Sequence, residues 1–159
     1  MSAMPVKVSV QRAYRGAGPT RRQLQRWARQ ALATRRAHAA LTVRIVDIPE
    51  SAALNAAWRQ RSGPTNVLSF PVSGLEQIAP ELLGDIVICA PLVIAEATAQ
   101  GKLLDAHWAH LVIHGVLHLL GFNHVEEPQA RAMEALECEL LTALGFPDPY
   151  QGYAPLICP

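Results

Sequence analysis

The stretch His114-Gly115-Val116-Leu117-His118-Leu119-Leu120-Gly121-Phe122-Asn123-His124 contains three histidines at positions i, i+4 and i+10. Residues four apart lie on the same face of an α-helix, so His114 and His118 can direct their imidazoles at one point. Gly121 can take the left-handed conformation that ends a helix, which would bring His124 back to that point. Three neutral histidines around an open fourth position are typical of catalytic zinc. We therefore predict one Zn²⁺ per chain, bound by His114, His118 and His124.

The residue after the first histidine argues against a protease. The metzincin pattern H-E-x-x-H-x-x-G-x-x-H has the same spacing, and its glutamate serves as the general base. Here that position is Gly115, which has no side chain to hold a proton. General-base assistance typically contributes ~10²–10⁴-fold to a rate, so a substrate other than a peptide bond is favoured.

Hydrophobic periodicity predicts an α+β fold in a single domain that spans residues 1–159. We expect a mixed or mostly antiparallel sheet of about four strands, with the buried central helix that carries the metal ligands packed on it. The predicted strands are Val6–Val10, Leu41–Val46, Thr65–Pro71 and Gly84–Cys89. Four predicted helices run from Arg21 to about Ala37, from Pro91 to about Gln100, over roughly 106–120, and from Pro128 to Gly145. A further short helix is predicted to begin at Pro49. The proline-rich tail, residues 146–159, is expected to be loose.

The central helix is apolar around most of its circumference, so it is predicted to be buried nearly all round. Asp105 is the expected N-cap. The polar stripe, formed by His107, His110, His114 and His118, would then have to face either water or a functional cleft. Gly115 costs about 1 kcal/mol relative to alanine in a helix interior, which indicates a close backbone contact at that point.

Charge is distributed very unevenly along the chain. Residues 1–61 contain twelve Lys or Arg and two acids, a balance of +10, whereas residues 62–159 have a balance of −9. This asymmetry favours a polyanionic partner for the basic half, although the two halves could instead neutralise each other through surface pairs. Arg22, Arg26 and Arg29 share one face of the first helix, which is either a phosphate-binding surface or a solvated one.

Half of the residues are hydrophobic and 17% are charged, which is typical of a compact fold. The N-terminus lacks the apolar core of a signal peptide, and no apolar run is long enough to span a membrane. The three cysteines are widely separated and odd in number, which argues against a disulfide framework. We expect a soluble, reduced protein of the cytoplasm with no membrane partner.

Several sequence blocks, in order, resemble the YbeY family of bacterial metal-dependent endoribonucleases. The resemblance covers roughly residues 40–150 and rests on Arg59, on Pro64–Pro71, on Leu83–Ile86, on His107–His110, on the three-histidine stretch, on Glu134–Glu137 and on Leu144–Phe146. It implies an endoribonuclease selective for single-stranded RNA, which acts on precursor 16S rRNA at its 3′ end and in ribosome quality control. The implied partners are the small ribosomal subunit and the 70S ribosome.

The resemblance also implies roles for individual residues. His114, His118 and His124 match the metal ligands, and His114 and Arg59 are the expected catalytic residues. Without the resemblance, Arg59 would be read as an ordinary surface arginine at a helix end. Asn123 departs from the family's usual aspartate. That aspartate could orient a ligand imidazole, and asparagine can accept the same hydrogen bond without adding charge.

Two other classes of function stay open. One is a different zinc metallohydrolase, including a relic of a peptidase. The other is a non-catalytic ribosome assembly factor in which the zinc is structural, with all its ligand positions closed.

Overall fold

The computed structural model describes residues 6–33 and 35–150. Within them, one four-stranded sheet has the order β1-β2-β4-β3. Strand β1 pairs parallel with β2 and β2 parallel with β4, whereas β3 runs antiparallel to β4 at the edge. The strands are β1 (Val6–Arg12), β2 (Ala39–Val46), β3 (Val67–Pro71) and β4 (Leu82–Cys89). The mixed sheet and the α+β class are confirmed.

Five helices accompany the sheet in the described part of the chain: α1 (Arg21–Leu32), α2 (Ile48–Arg59), α3 (Ala90–Gln100), α4 (Leu104–Leu119) and α5 (Glu127–Ala143). Helix α1 ends before the predicted Ala37, because the chain must turn there to start β2. The backbone N–H groups of Arg35 and Arg36 both donate to the carbonyl of Leu32, at 2.9 and 3.0 Å. Ala39 then pairs with Val6 in the parallel register.

The two faces of the sheet carry different helices. Ile86 and Ile88 of β4 belong to the main core, together with residues of α1 and α4. Val87 and Cys89 alternate with them and therefore point to the other face, where Leu54 of α2 packs. Helix α4 is buried along nearly its whole length, as its composition predicted.

Helix α4 approaches the sheet most closely at Gly115. A Cβ atom added there would lie 2.8 Å from Cγ2 of Ile86, and the Ser69 hydroxyl donates to the Gly115 carbonyl at 3.1 Å. The predicted close backbone contact is confirmed. A glutamate at this position would clash with the sheet, so the fold itself excludes the metzincin type of general base.

Two predictions at helix α4 and beyond it are wrong. Asp105 is not the N-cap: Leu103 occupies that position without a side-chain hydrogen bond, and Asp105 accepts one from Gln23 of α1 instead.

The chain is also not loose directly after Gly145. Phe146 packs edge-on against Trp27 with 6.4 Å between ring centroids. Residues 151–159, the rest of the predicted tail, lie outside the described residues.

Within the described ranges, no helix is both long and apolar enough to cross a membrane.

Candidate metal centre

The three histidines of the opening stretch meet at the C-terminal end of α4. His114 and His118 occupy successive turns of the helix, and Gly121 follows with a φ of +102°, the left-handed region predicted for it. The N–H of Gly121 donates to the carbonyl of His118, and that of Phe122 donates to Leu117, both at 3.0 Å. These bonds end the helix and turn the chain back.

The turn brings His124 into contact with both helical histidines. Its ring centroid lies 5.3 Å from that of His114 and 5.0 Å from that of His118. One potential ligand atom from each of the three residues lies within 4.8 Å of the others. The structure therefore places the predicted residues together, in a group that could hold a metal ion.

The closest pair of ring nitrogens has the spacing of two ligands. Nε2 of His114 and Nε2 of His118 are 3.0 Å apart. Two nitrogens bound at 2.0–2.1 Å in a tetrahedral site lie about 3.3 Å apart, so little adjustment is needed. Nδ1 of His124 is buried and has no hydrogen-bond partner among the described residues. Nδ1 of His107 and of His110 is likewise unpartnered among those residues, so the fit to a metal ion rests on the spacing of the three ligand atoms.

The cluster favours neutral imidazoles, which are the form that binds metal. Burial lowers the pKa of His118 to about 4, helped by the proximity of His114 and His124. Burial is also the main cause that lowers the pKa of His124, followed by His114. At neutral pH both rings therefore keep a free lone pair.

A buried carboxylate that sequence reasoning missed lies directly behind the cluster. Oε2 of Glu137, on α5, is 2.5 Å from Nδ1 of His114, and Oε1 is 2.9 Å from Nε2 of His110. Burial would raise the pKa of Glu137, but the hydrogen bonds from His110 and His114 outweigh it and hold that pKa well below its usual range. The sequence feature that could have predicted its burial is its position on the apolar face of α5. Glu137 lies four residues after Met133 and three before Leu140.

The polar stripe of α4 faces carboxylates and not water. His107 is 2.8 Å from Glu96 of α3, and Asn66 donates to the same carboxylate at 3.1 Å. His107 and His110 are 4% and 6% exposed. These two histidines are buried against carboxylates and border a cleft of about 350 Å³, and Nδ1 of each has no hydrogen-bond partner among the described residues. His114 and His118 continue the stripe into the group that could hold a metal ion.

Arg59 lies at the end of α2, beside the edge strand. Its guanidinium donates to the carbonyls of Ser69 and Trp58, at 2.7 and 3.3 Å, and lies 5.3 Å from the centroid of the Phe70 ring. Ser69 in turn donates to the carbonyl of Gly115, the neighbour of His114. Arg59 thus contacts the same strand, β3, that contacts α4, and it does not itself touch a histidine of the cluster in the described contacts. It lines an open groove of about 610 Å³ with Trp58 and Phe70.

Asn123 does not brace a ligand ring in the described structure. Its Oδ1 accepts from the backbone N–H of Val125 at 3.3 Å, which is the two-residue turn typical of asparagine. The acceptor that orients His114 is Glu137 instead.

The basic residues of α1 are presented at the surface. Arg22, Arg26 and Arg29 are all exposed. The ion pair Arg44–Glu50 lies wholly inside the basic half, and Arg131–Glu127 lies inside the acidic half. Neither of these two pairs connects the halves.

The fold and the cluster together define a small α+β domain with a three-histidine site that could hold a metal ion. A sequence-family model described as Endoribonuclease YbeY matches residues 11–145. Endoribonuclease YbeY of Stutzerimonas stutzeri is 52% identical over 151 residues, which is 94% of each chain. That of Methylococcus capsulatus is 48% identical over 150 residues, covering 94% of this chain and 99% of its own. The chain belongs to the YbeY endoribonuclease family.

A solved structure agrees on the fold. The solution structure of TM1509 from Thermotoga maritima aligns over 86% of both chains with a TM-score of 0.58 and 22% sequence identity.

Proposed function

We propose that the protein is a zinc-dependent endoribonuclease, specific for single-stranded RNA, that matures the 3′ end of 16S rRNA and contributes to ribosome quality control. Its partners in this role are precursor 16S rRNA, the small ribosomal subunit and the 70S ribosome, in the cytoplasm. The relatives named above carry the name endoribonuclease, which supports the reaction class. The finer assignments, to zinc and to rRNA, follow from the site and from the resemblance of its motifs.

The observation that carries the proposal is the facing pair of Nε2 atoms of His114 and His118, 3.0 Å apart, with a ligand atom of His124 within 4.8 Å of a ligand atom of each. Nitrogen ligands at this spacing suit zinc. Three neutral imidazoles would leave the ion its full double charge, where thiolates would reduce it. Such an ion would supply Lewis acidity toward a phosphoryl oxygen and toward water.

The protein's own residues would bind and orient the RNA. Arg59 has an exposed guanidinium whose fork can reach a phosphate while Ser69 and Phe70 hold its position. It would stabilise the charge that develops on the phosphate during cleavage. The exposed arginines of α1 add a sequence-independent attraction for the RNA backbone.

The deciding experiment is cleavage by metal-quantified protein of two RNAs with the same sequence, one single-stranded and one annealed to its complement. We expect the single strand, carrying the 3′ precursor end of 16S rRNA, to be cut. Cleavage should stop after chelation and return with zinc. A protein that binds zinc and ribosomes but cuts neither RNA would instead be an assembly factor. A protein that hydrolyses peptides and not RNA would be a different metallohydrolase.

A further inference from the structure

Glu137 is the one fully buried carboxylate among the described residues, at 0% exposure. An ionised carboxylate is costly to bury unless donors surround it. Three side chains supply them: Nδ1 of His114 at 2.5 Å, Nε2 of His110 at 2.9 Å, and the hydroxyl of Tyr150. His110 and His114 lie one turn apart on α4 and Tyr150 follows α5, so donors from two separate parts of the chain surround this one charge.

The carboxylate determines which nitrogen of His114 carries the proton. An ionised carboxylate only accepts hydrogen bonds, so Nδ1 of His114 must be the N–H. A neutral imidazole has a single N–H, and Nε2 is therefore left with its lone pair. That atom is the one that faces Nε2 of His118.

The second bond, from His110, keeps the carboxylate from turning away. Each oxygen of Glu137 is engaged by a different histidine, and the two histidines lie one turn apart on the same face of α4. Glu137, His110 and His114 could as a group also hold a metal ion. The separation of 2.9 Å is that of a charge-assisted hydrogen bond, and the separation of 2.5 Å is shorter still, so donated hydrogen bonds account for both contacts without an ion.

We propose that Glu137 is the positioning residue of the metal centre, which fixes the ring orientation and the proton of His114 so that Nε2 is presented to the metal. Its negative charge lies on the far side of the His114 ring and strengthens that ring as a ligand. Tyr150, through its bond to the same carboxylate, ties the segment after α5 to the centre. This inference rests on the proposed function, because it assumes that the three histidines bind metal.

The test is Glu137→Gln, which keeps the shape and removes the charge. A glutamine has one acceptor oxygen and one donor nitrogen, so it cannot accept from both histidines. Competition with a chromophoric chelator should show Zn²⁺ affinity weakened on the order of 10–100-fold. Glu137→Asp keeps the charge but reaches less far, and should recover part of the loss. The matched control is Glu139→Gln, the same change at an exposed position of α5, which should bind Zn²⁺ like the wild type.

A second measurement needs no variant. Nitrogen-15 NMR of the metal-free wild type should show His114 as the Nδ1–H tautomer, and Glu137→Gln should shift it toward a mixture. An Nε2–H tautomer for wild-type His114, or unchanged affinity in Glu137→Gln, would overturn the positioning role while leaving the proposed function intact. A wild type that binds no Zn²⁺ at all would overturn both.

Discussion

Nε2 of His114 faces Nε2 of His118 across 3.0 Å, one helical turn apart on α4. With the proton of His114 held on Nδ1 by Glu137, the facing nitrogen of that ring is an acceptor. A metal ion between the two rings would use that lone pair directly. Helical spacing thus produces the pair, and a distant carboxylate prepares it for binding.

Removing either member of the pair should remove tight metal binding. We expect His114→Ala and His118→Ala each to lose the roughly one Zn²⁺ per chain found in the purified wild type, because two remaining ligands hold zinc poorly. Elemental analysis of the purified proteins measures this. His38→Ala, at an exposed histidine outside the cluster, is the control and should keep its metal. Undiminished zinc in both cluster variants would rule out the site.

The metal-free protein should lose stability as the pH falls from about 6.5 toward 4. Burial, with His114 and His124 nearby, lowers the pKa of His118 from 6.5 to about 4 in the folded state. In this window the unfolded chain binds a proton that the folded state excludes, so acid favours unfolding. After chelation, the urea midpoint of the wild type should be lower at pH 5 than at pH 7. The difference between the two midpoints should be smaller in His118→Gln. An equal or higher midpoint at pH 5 would contradict the direction.

Arg59→Ala should abolish most RNA cleavage and leave metal content and fold unchanged. The guanidinium contacts the Ser69 and Trp58 carbonyls and the Phe70 ring, and none of these is a metal ligand. Loss of one such charge-stabilising donor typically costs ~10²–10³-fold in rate. Arg59→Lys should recover only part, since an ammonium cannot reproduce the planar fork. Single-turnover cleavage rates check this, and full activity in Arg59→Ala would remove the residue from the mechanism.

The arginine face of α1 should contribute to RNA affinity through charge alone. Replacing Arg22, Arg26 and Arg29 together with glutamine should weaken binding of single-stranded RNA and flatten its salt dependence. Three lost phosphate contacts would reduce the slope of log K against log salt by about 2. Arg131→Gln, an exposed arginine of the acidic half, is the control and should not change the slope. The same slope in the triple variant would show that the face is only solvated.

At residue 123 the turn should matter more than the side-chain charge. Asn123 accepts from the Val125 N–H, so Asn123→Asp, which keeps that acceptor, should bind Zn²⁺ about as tightly as the wild type. Asn123→Leu and Asn123→Gly both remove the acceptor, and both should weaken binding by loosening the approach of His124. Wild-type affinity in both variants would show that the bond to Val125 does not support the site. Weakened binding in Asn123→Asp would show that the charge matters more than the turn.

The sequence by itself determined the features that depend on short-range periodicity. Four-residue spacing placed His114 and His118 on one helical face, and Gly121 predicted the turn that returns His124. Alternating strands and apolar helices predicted the mixed sheet and the buried α4 in the same way. These features depend on backbone geometry within one or two turns, and residues that are neighbours in the sequence determine that geometry.

Only the tertiary structure decided which side chains face one another across the core. Glu137 lies 23 residues from His114 and 27 from His110, so no local pattern links them. The same holds for Glu96 and His107, whose pairing buries one end of the predicted polar stripe. Arg59 contacts Ser69, and Ser69 contacts Gly115 of α4, because the sheet sets β3 beside α4. Burial makes such pairings obligatory, since an ionised or polar group removed from water must find a partner, but the fold alone determines which one.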